Sequence, residues 1–227
     1  MNFDATKIAI CNLRALALSS KAIFECSKTR PALRCGRVFD KEKLDALNKS
    51  DKSKKGCIDK EIWPLIIKIN SLENYYTTSS CSGRIGLLEK RSDKKCETEW
   101  LFKSHSIVKF DEIKNALNNL NLSKHDLWFR QEPAIIHVAC RAIEDAQKLI
   151  DIARITGFKR SGIQATRKRI LAEIGSSETI ATIIAKGGKL LVEADYLKIL
   201  IDEANKKLER NKGKLDMVYA ILLAHLS

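Results

Sequence analysis

One stretch of ten residues, 75–84, restricts the fold of this chain more than any other. It reads YYTTSSCSGR, so aromatic and β-branched residues come first, and small hydroxyl and thiol side chains, a glycine and an arginine follow. Aromatic and β-branched residues favour strands, which predicts a strand that runs into a tight polar turn. Such a turn presents N–H groups, hydroxyls and a guanidinium together, a combination that suits an anionic or highly polar ligand. The alternative is a plain serine-rich turn between two strands, with Arg84 in solvent.

The length and charge of the chain narrow its class and its partners. With 227 residues, it can bury a sizeable core as one domain or as one domain with an appendage. Lys and Arg number 41 against 28 Asp and Glu, which gives a formal net charge of +13. This excess favours a polyanionic partner, although charge alone does not separate RNA from DNA or from an anionic membrane. No uninterrupted apolar run reaches the ~18 residues that span a bilayer, so a soluble protein is expected.

The seven cysteines are scattered, at positions 11, 26, 35, 57, 81, 96 and 140. No two form a Cys-x-x-Cys pair, so no metal is expected. An odd, scattered set fits reduced thiols in the cytoplasm better than a disulfide framework. Cys81 lies three positions before Arg84, whereas the cysteine phosphatase loop has five residues between the two. We therefore interpret Cys81 as a packing or pocket-wall residue.

The pattern of apolar residues predicts a mixed α+β fold, in which a largely antiparallel sheet packs with helices. One compact domain is expected over residues 38–227, after an atypical basic extension, 1–37, to which the sequence assigns no function. Asp59 is expected to cap the helix that follows it. Gly213 predicts a break between two C-terminal helices, 194–210 and 215–226.

Two expectations concern the strands around the polar turn. Residues 84–89 are expected to pair with the preceding strand as its antiparallel partner. Residues 98–106 alternate as a strand. This alternation predicts that one face carries Leu101, Lys103 and His105 and that the other carries Trp100, Phe102 and Ser104.

Several motifs occur in a fixed order along the chain. The segment TTSSCSGR at 77–84 lies downstream of DKSKKG at 51–56. The motifs that follow are WLFKSH at 100–105, EPAIIHV at 132–138 and GFKRSGI at 157–163. Together, over roughly residues 38–211, they resemble the tRNA wybutosine-synthesizing protein 3 family.

The resemblance implies an N4-methyltransferase that uses S-adenosylmethionine and acts on a tricyclic, guanosine-derived base next to the anticodon of phenylalanine tRNA. DNA and membranes are not expected partners. No Gly-x-Gly-x-x-Gly follows a strand, so a cofactor pocket here would differ from the dinucleotide-type turn. The competing hypothesis is a non-catalytic, basic RNA-binding module that uses the same turns to hold phosphates. A cofactor pocket distinguishes the two hypotheses, because the enzyme requires one and the binding module does not.

Candidate residues for each role follow from side-chain chemistry and from the motifs. His105 and His137 can act as a general base because histidine titrates near neutral pH, and the motif match adds Asp51. The residues expected to hold the cofactor lie in the two polar turns and are Ser79, Ser80, Ser82, Gly83, Arg84 and Ser161. The residues expected to hold the substrate are Lys52, Lys103, Trp100, Trp128 and Lys159. Each has a structural alternative, because strand histidines and large aromatics often pack in cores and charged loops are usually solvated.

These candidates are expected to meet in one pocket. Gly83 is expected to let Arg84 fold back towards the serine hydroxyls, with Ser80, the loop at Asp51 and one of the two histidines nearby. Because side chains alternate along a strand, only one of the pairs 79/81 and 80/82 can line that pocket.

Overall fold

The computed structural model describes residues 32–48, 58–91, 98–119 and 125–225. The chain separates into two compact units, Met1–Lys49 and Ser50–Ser227. In the first unit the described element is helix α1, Ala32–Asn48. The limit of the N-terminal extension at residue 37 stays a prediction. The candidates Asp51 and Lys52 lie outside the described residues.

The second unit contains a mixture of strands and helices. A 3-10 turn at Lys60–Ile62 leads into helix α2, Trp63–Ser71, where Pro64 lies in the first turn and its missing N–H costs little. The other helices are α3 (Phe110–Asn119), α4 (Ile143–Ile155) and α5 (Ala194–His225). The strands are β1 (Tyr75–Cys81), β2 (Arg84–Lys90), β3 (Thr98–Ser104), β4 (Asp126–Glu132), β5 (Ile135–Cys140), β6 (Gly162–Ala165), β7 (Ile170–Gly175), β8 (Ile180–Lys186) and β9 (Lys189–Leu190).

The described strands form two antiparallel sheets, which confirms the predicted α+β class. Sheet A has the order β1-β5-β7-β6 and sheet B the order β3-β2-β4-β8-β9. The prediction that residues 84–89 pair with the preceding strand is wrong, since β1 pairs with β5, and β2 pairs with β3 and β4. The physical reason is the short connection Ser82-Gly83, which carries the chain from one sheet to the other instead of reversing it within one sheet.

Gly83 makes this crossing possible. Its φ of +97° is a conformation that side chains with a Cβ rarely adopt. A Cβ at this position would lie 3.0 Å from the Glu132 carbonyl oxygen and 3.2 Å from the Ala134 nitrogen. The crossing from β1 to β2 therefore lies against the crossing from β4 to β5, and the sheets are joined twice at one place.

Each sheet has its own hydrophobic core. The first core lies between one face of sheet A and helices α2, α4 and the C-terminal part of α5, which contributes Leu215, Val218 and Leu222. The second core lies between sheet B, α3 and the N-terminal part of α5, which contributes Leu197, Ile201, Ala204 and Leu208. One helix therefore belongs to both cores.

The predicted break in this helix at Gly213 is wrong, because α5 is continuous over Ala194–His225. A glycine inside a helix costs only about 1 kcal/mol relative to alanine. Burial of Leu208 in one core and of Leu215 in the other offsets that cost. None of the helices in the described residues, α5 included, combines the length and the apolar content that crossing a membrane requires.

Gly213→Ala is expected to raise the free energy of unfolding by about 1 kcal/mol, because a Cβ there would meet no atom within 4 Å. Urea unfolding followed by circular dichroism measures the change. Gly83→Ala is the matched opposite case and is expected to destabilise the protein, since its positive φ strains a residue with a Cβ and the neighbouring backbone atoms at 3.0–3.2 Å would have to shift. A Gly213→Ala variant no more stable than the parent chain would contradict the interpretation of α5.

Candidate active site

The turn between the sheets is held by a buried carboxylate. The Asp59 side chain is 7% exposed, and its Oδ2 accepts hydrogen bonds from the Ser82 backbone N–H at 2.9 Å and from the Ser82 hydroxyl at 3.0 Å. The expectation that Asp59 caps the following helix is wrong, because its side chain makes no cap hydrogen bond. Its carboxylate reaches across to β1 and β2 instead and fixes the turn.

The same carboxylate orients His105. Asp59 Oδ2 lies 3.2 Å from His105 Nδ1, and the histidine side chain is 16% exposed. Since a carboxylate accepts, this contact assigns the proton to Nδ1 and leaves Nε2 as the nitrogen that can receive one. Cys81 Sγ lies 3.9 Å from the same Nδ1. Asp59, which was not among the predicted site residues, thus holds the predicted candidate His105 beside β1.

The Cys81 side chain is suited to lining the wall of a pocket and not to acting as a nucleophile. Burial raises the pKa of the Cys81 thiol, and the negative charges of Asp59 and Glu132 raise it further. The Gly83 backbone N–H and the Arg84 guanidinium oppose that rise without cancelling it. A thiol that stays protonated is a poor nucleophile, which agrees with its predicted role in packing.

Asp59, Cys81 and His105 also have the side-chain chemistry of a metal site. One ligand atom from each lies within 4.8 Å of the other two. Zinc binds a thiolate, however, and the raised pKa of Cys81 opposes its ionisation. Asp59 Oδ2 already accepts two hydrogen bonds from Ser82. Hydrogen bonding accounts for these three groups, and the expectation of no metal stays a prediction.

A second histidine lies in a chain of polar groups across three strands of sheet A. Ser79, His137 and Glu173 are direct neighbours on β1, β5 and β7. His137 Nδ1 is 3.0 Å from Ser79 Oγ, and His137 Nε2 is 2.9 Å from Glu173 Oε2. The carboxylate assigns the proton to Nε2, so that Nδ1 accepts from the serine hydroxyl. This is a carboxylate, an imidazole and a hydroxyl in series.

Both histidines contact the same strand. Ser79 and Cys81 are two residues apart on β1, so they share a face and their Cα atoms lie about 7 Å apart. Their strand neighbour Ser80 is paired with Ile136, which belongs to the first core. Ser79 and Cys81 are therefore the pair that lies beside the histidines. Ser82 is buried and serves as an anchor for Asp59.

Arg84 continues into sheet B and does not fold back towards the serines. Its Nε is 2.6 Å and its Nη2 is 2.5 Å from Glu132 Oε2, and its guanidinium carbon lies 4.6 Å from the centre of the Trp100 ring. The space for that ring exists because residue 86 is glycine: a Cβ there would lie 3.0 Å from the ring and 2.3 Å from the Phe102 carbonyl oxygen. Arg84 is thus held in place by an ion pair and a cation–π contact.

A β-bulge explains why the predicted faces of β3 are wrong. The pairing of β2 with β3 shifts between Leu87 and Leu88, so Phe102 lies opposite Leu87 and Trp100 opposite Leu88. Trp100 and Phe102 then occupy opposite faces, because neighbouring residues on β2 alternate. Phe102 packs on the second core, while Trp100 stacks on Arg84.

The remaining candidates are dispersed. Lys103 is exposed opposite Gly86, and Trp128 lies on β4 opposite Leu88. Lys159 is exposed in the turn before β6, whereas Ser161 is 2% exposed. The Ser161 hydroxyl donates to the Phe158 carbonyl at 2.7 Å and accepts from the Gly175 N–H at 3.2 Å. These bonds stabilise the turn, which is a structural role.

Sequence reasoning missed Asp59, Glu132 and Glu173 as site residues. Glu173 carried a detectable signal, because it is a lone acid inside the otherwise apolar strand ILAEIG. Asp59 carried none, since an acid before a helix is the ordinary pattern of a cap.

Comparison with known proteins gives a consistent family. Residues 40–224 match the family model described as Methyltransferase TYW3. The "tRNA wybutosine-synthesizing protein 3 homolog" of Xenopus laevis is 36% identical over 190 residues, covering 82% of this chain and 74% of that protein. The "tRNA(Phe) 7-((3-amino-3-carboxypropyl)-4-demethylwyosine(37)-N(4))-methyltransferase" of Methanocaldococcus jannaschii is 40% identical over 160 residues, covering 69% and 82%.

A solved structure shares the fold. The PH1069 protein of Pyrococcus horikoshii superposes with a TM-score of 0.75 at 35% identity, covering 83% of this chain and 98% of that one. With this identity and coverage, the likeness extends over both sheets. The chain belongs to the Methyltransferase TYW3 family.

Proposed function

We propose that this protein transfers a methyl group from S-adenosylmethionine to N4 of the tricyclic wyosine-type base next to the anticodon of phenylalanine tRNA. The M. jannaschii relative carries that activity in its name. The observation that supports it most in this chain is the position of the His137 imidazole. It lies between the carboxylate of Glu173 and the hydroxyl of Ser79, and Ser79 belongs to the TTSSCSGR segment on β1. A base with one fixed tautomer is what removal of a proton from a ring nitrogen requires.

The proposed proton path runs through Ser79 and His137. Ser79 is exposed, so its hydroxyl can face the acceptor nitrogen and take its proton while passing its own to His137 Nδ1. Glu173 stabilises the imidazolium that results and keeps the ring in one orientation. The proton of the acceptor nitrogen thus ends on Ser79 Oγ, the former hydroxyl proton of Ser79 ends on His137 Nδ1, and the nitrogen lone pair becomes available for the methyl group.

His105 has a supporting position in this proposal. It is less exposed than His137, at 16% against 25% of the side chain, and Asp59 fixes its ring from the buried side. We assign it to the wall that orients the base, because Asp59 holds its ring beside Cys81 on β1. Asp51 stays a prediction.

The outer face of sheet B offers groups that fit S-adenosylmethionine. Trp128 Nε1 and Arg130 Nε are buried and have no hydrogen-bond partner within the described residues. They lie opposite Leu88 and Gly86, on the same face of the sheet as Arg84. Two buried donors without acceptors, next to a guanidinium, suit a ligand that carries a carboxylate and ring nitrogens. When bound, this cofactor supplies an electrophilic methyl group on a sulfonium centre.

The charge of the chain agrees with a tRNA partner. A net charge of +13 favours neutralisation of phosphates, and aromatic side chains can stack on an extruded base. We propose phenylalanine tRNA as the partner and, with it, a site of action in the cytoplasm.

Arg84→Ala is expected to weaken binding of S-adenosylhomocysteine at least tenfold, because a charge-assisted contact is worth on the order of 1.5–3 kcal/mol. Isothermal calorimetry measures the affinity. Arg91→Ala is the matched control, since Arg91 also forms two ion pairs at sheet B but is 51% exposed. Exposed pairs contribute little, so the control is expected to bind as the parent chain does.

The same titration separates the two hypotheses for function. Binding of S-adenosylhomocysteine by the parent chain, together with methyl transfer to tRNA(Phe) that carries the unmethylated base, supports the enzyme. A parent chain that binds the tRNA but neither S-adenosylmethionine nor its demethylated product is the RNA-binding module.

A further inference from the structure

We propose that the tip of the β6–β7 hairpin contacts the phosphate backbone of the substrate RNA and so positions the base at His137. The basic tip consists of Thr166, Arg167, Lys168 and Arg169. This inference rests on the proposed function, because it takes the RNA substrate as given and assigns a surface to it.

The basic tip concentrates positive charge without opposing acids. All of its residues are exposed, and in the part of the chain that the structure describes no carboxylate pairs with Arg167, Lys168 or Arg169. Elsewhere in the chain, cations such as Arg210 are paired with acids. Unpaired, adjacent cations at a hairpin end are the arrangement that neutralises phosphates.

The tip is also fixed relative to the motif strand. Arg169 Nη1 donates to the Tyr76 hydroxyl on β1 at 3.5 Å. The base of the hairpin is held by pairing of β6 with β7 along one edge of sheet A. The cations are therefore attached to the same sheet that carries Ser79, His137 and Glu173.

The strand register sets the distance between the tip and the candidate base. Glu173 is the β7 neighbour of His137, and Arg169 precedes it by four residues. Four residues of strand span about 13 Å. The tip therefore lies about 13 Å from the candidate base along β7, so it can contact phosphates other than that of the nucleotide whose base lies at His137.

A second hairpin provides a matched control. The tip of β8–β9 carries exposed Lys186 and Lys189 around two glycines with positive φ. It lies at the edge of sheet B, the sheet that does not carry His137. It carries two cations against the three of the basic tip, so a double variant at either hairpin removes two positive charges, from similarly exposed side chains at different positions.

The experiment compares two double variants, Arg167→Gln/Lys168→Gln and Lys186→Gln/Lys189→Gln, in the full chain. Affinity for tRNA(Phe) is measured by fluorescence anisotropy at several salt concentrations. The first variant is expected to bind roughly tenfold more weakly. Its slope of log K against log salt is expected to become less steep by about 1.4–1.8, which corresponds to two lost phosphate contacts. The second is expected to match the parent chain.

Two readouts keep this inference separate from the function. Calorimetry with S-adenosylhomocysteine is expected to give one affinity for all three proteins, since the tip is outside the proposed cofactor groups. If the first variant binds tRNA with the parent slope, or both variants lose the same amount, the assignment of the tip is overturned while the function stands. A parent chain that binds no tRNA overturns both.

Discussion

Replacement of His137 by glutamine is expected to lower the rate of methyl transfer to tRNA by about 10²- to 10⁴-fold, the usual range for a general base. The side chain is 25% exposed and lies on the face of sheet A opposite the first core, so the fold is expected to persist. Single-turnover transfer of a radioactive methyl group measures the step directly. S-adenosylhomocysteine affinity is expected to remain within about twofold of the parent, because glutamine removes the base and not the cofactor groups.

Glu173→Gln provides the sharper companion variant. A glutamine amide can donate to Nε2, which moves the ring proton to Nδ1 and removes the acceptor that faces Ser79. The rate is expected to fall, because the imidazolium loses its stabilising charge. A His137→Gln enzyme with the parent rate would show that the base lies elsewhere, with His105 the next candidate.

Asp59→Ala is expected to have the largest effect on stability among the site residues. It leaves the Ser82 N–H, the Ser82 hydroxyl and His105 Nδ1 without their acceptor. Each unsatisfied buried group costs about 1–3 kcal/mol, so the free energy of unfolding is expected to fall by roughly 3 kcal/mol or more. Denaturant unfolding measures this loss, and methylation is expected to fall with it because His105 and the turn lose their anchor.

Glu99→Gln serves as the control for this loss. Glu99 also pairs with a cation, Arg91, but its side chain is 59% exposed, so its removal is expected to change stability by less than about 1 kcal/mol. A loss of similar size in the control and in Asp59→Ala would mean that the buried carboxylate does not anchor the turn.

The class of the fold and most element positions could be predicted from apolar spacing, because that spacing reports which face of each element is buried. The pairing of the strands could not be predicted from apolar spacing. Whether residues 84–89 return along β1 or enter another sheet depends on the contacts of Gly83 with residues 132–134, which are distant in sequence. The alternation in β3 failed for a related reason, since the bulge at Leu101 is visible only in the pairing of β3 with β2.

The site could be predicted in part. Histidine chemistry made His105 and His137 candidates, and both contact β1. Strand alternation indicated that only one pair of residues on β1 would line the predicted pocket. The acids that orient these histidines could not be identified, because Asp59 and Glu173 reach their partners only through tertiary pairing. At Gly213 the prediction failed because it relied on local propensity alone. Local propensity predicted a break, and burial of leucines on both sides of it outweighed that propensity.

The long helix α5 has a consequence for how the second unit loses its structure. With 32 residues, it is about 48 Å long, and it supplies side chains to both cores. Neither sheet can lose its covering helix without exposing apolar surface of the other. The two halves are therefore expected to unfold as one cooperative unit, and a shared opening event is expected to govern amide exchange in the strands of sheet A and sheet B.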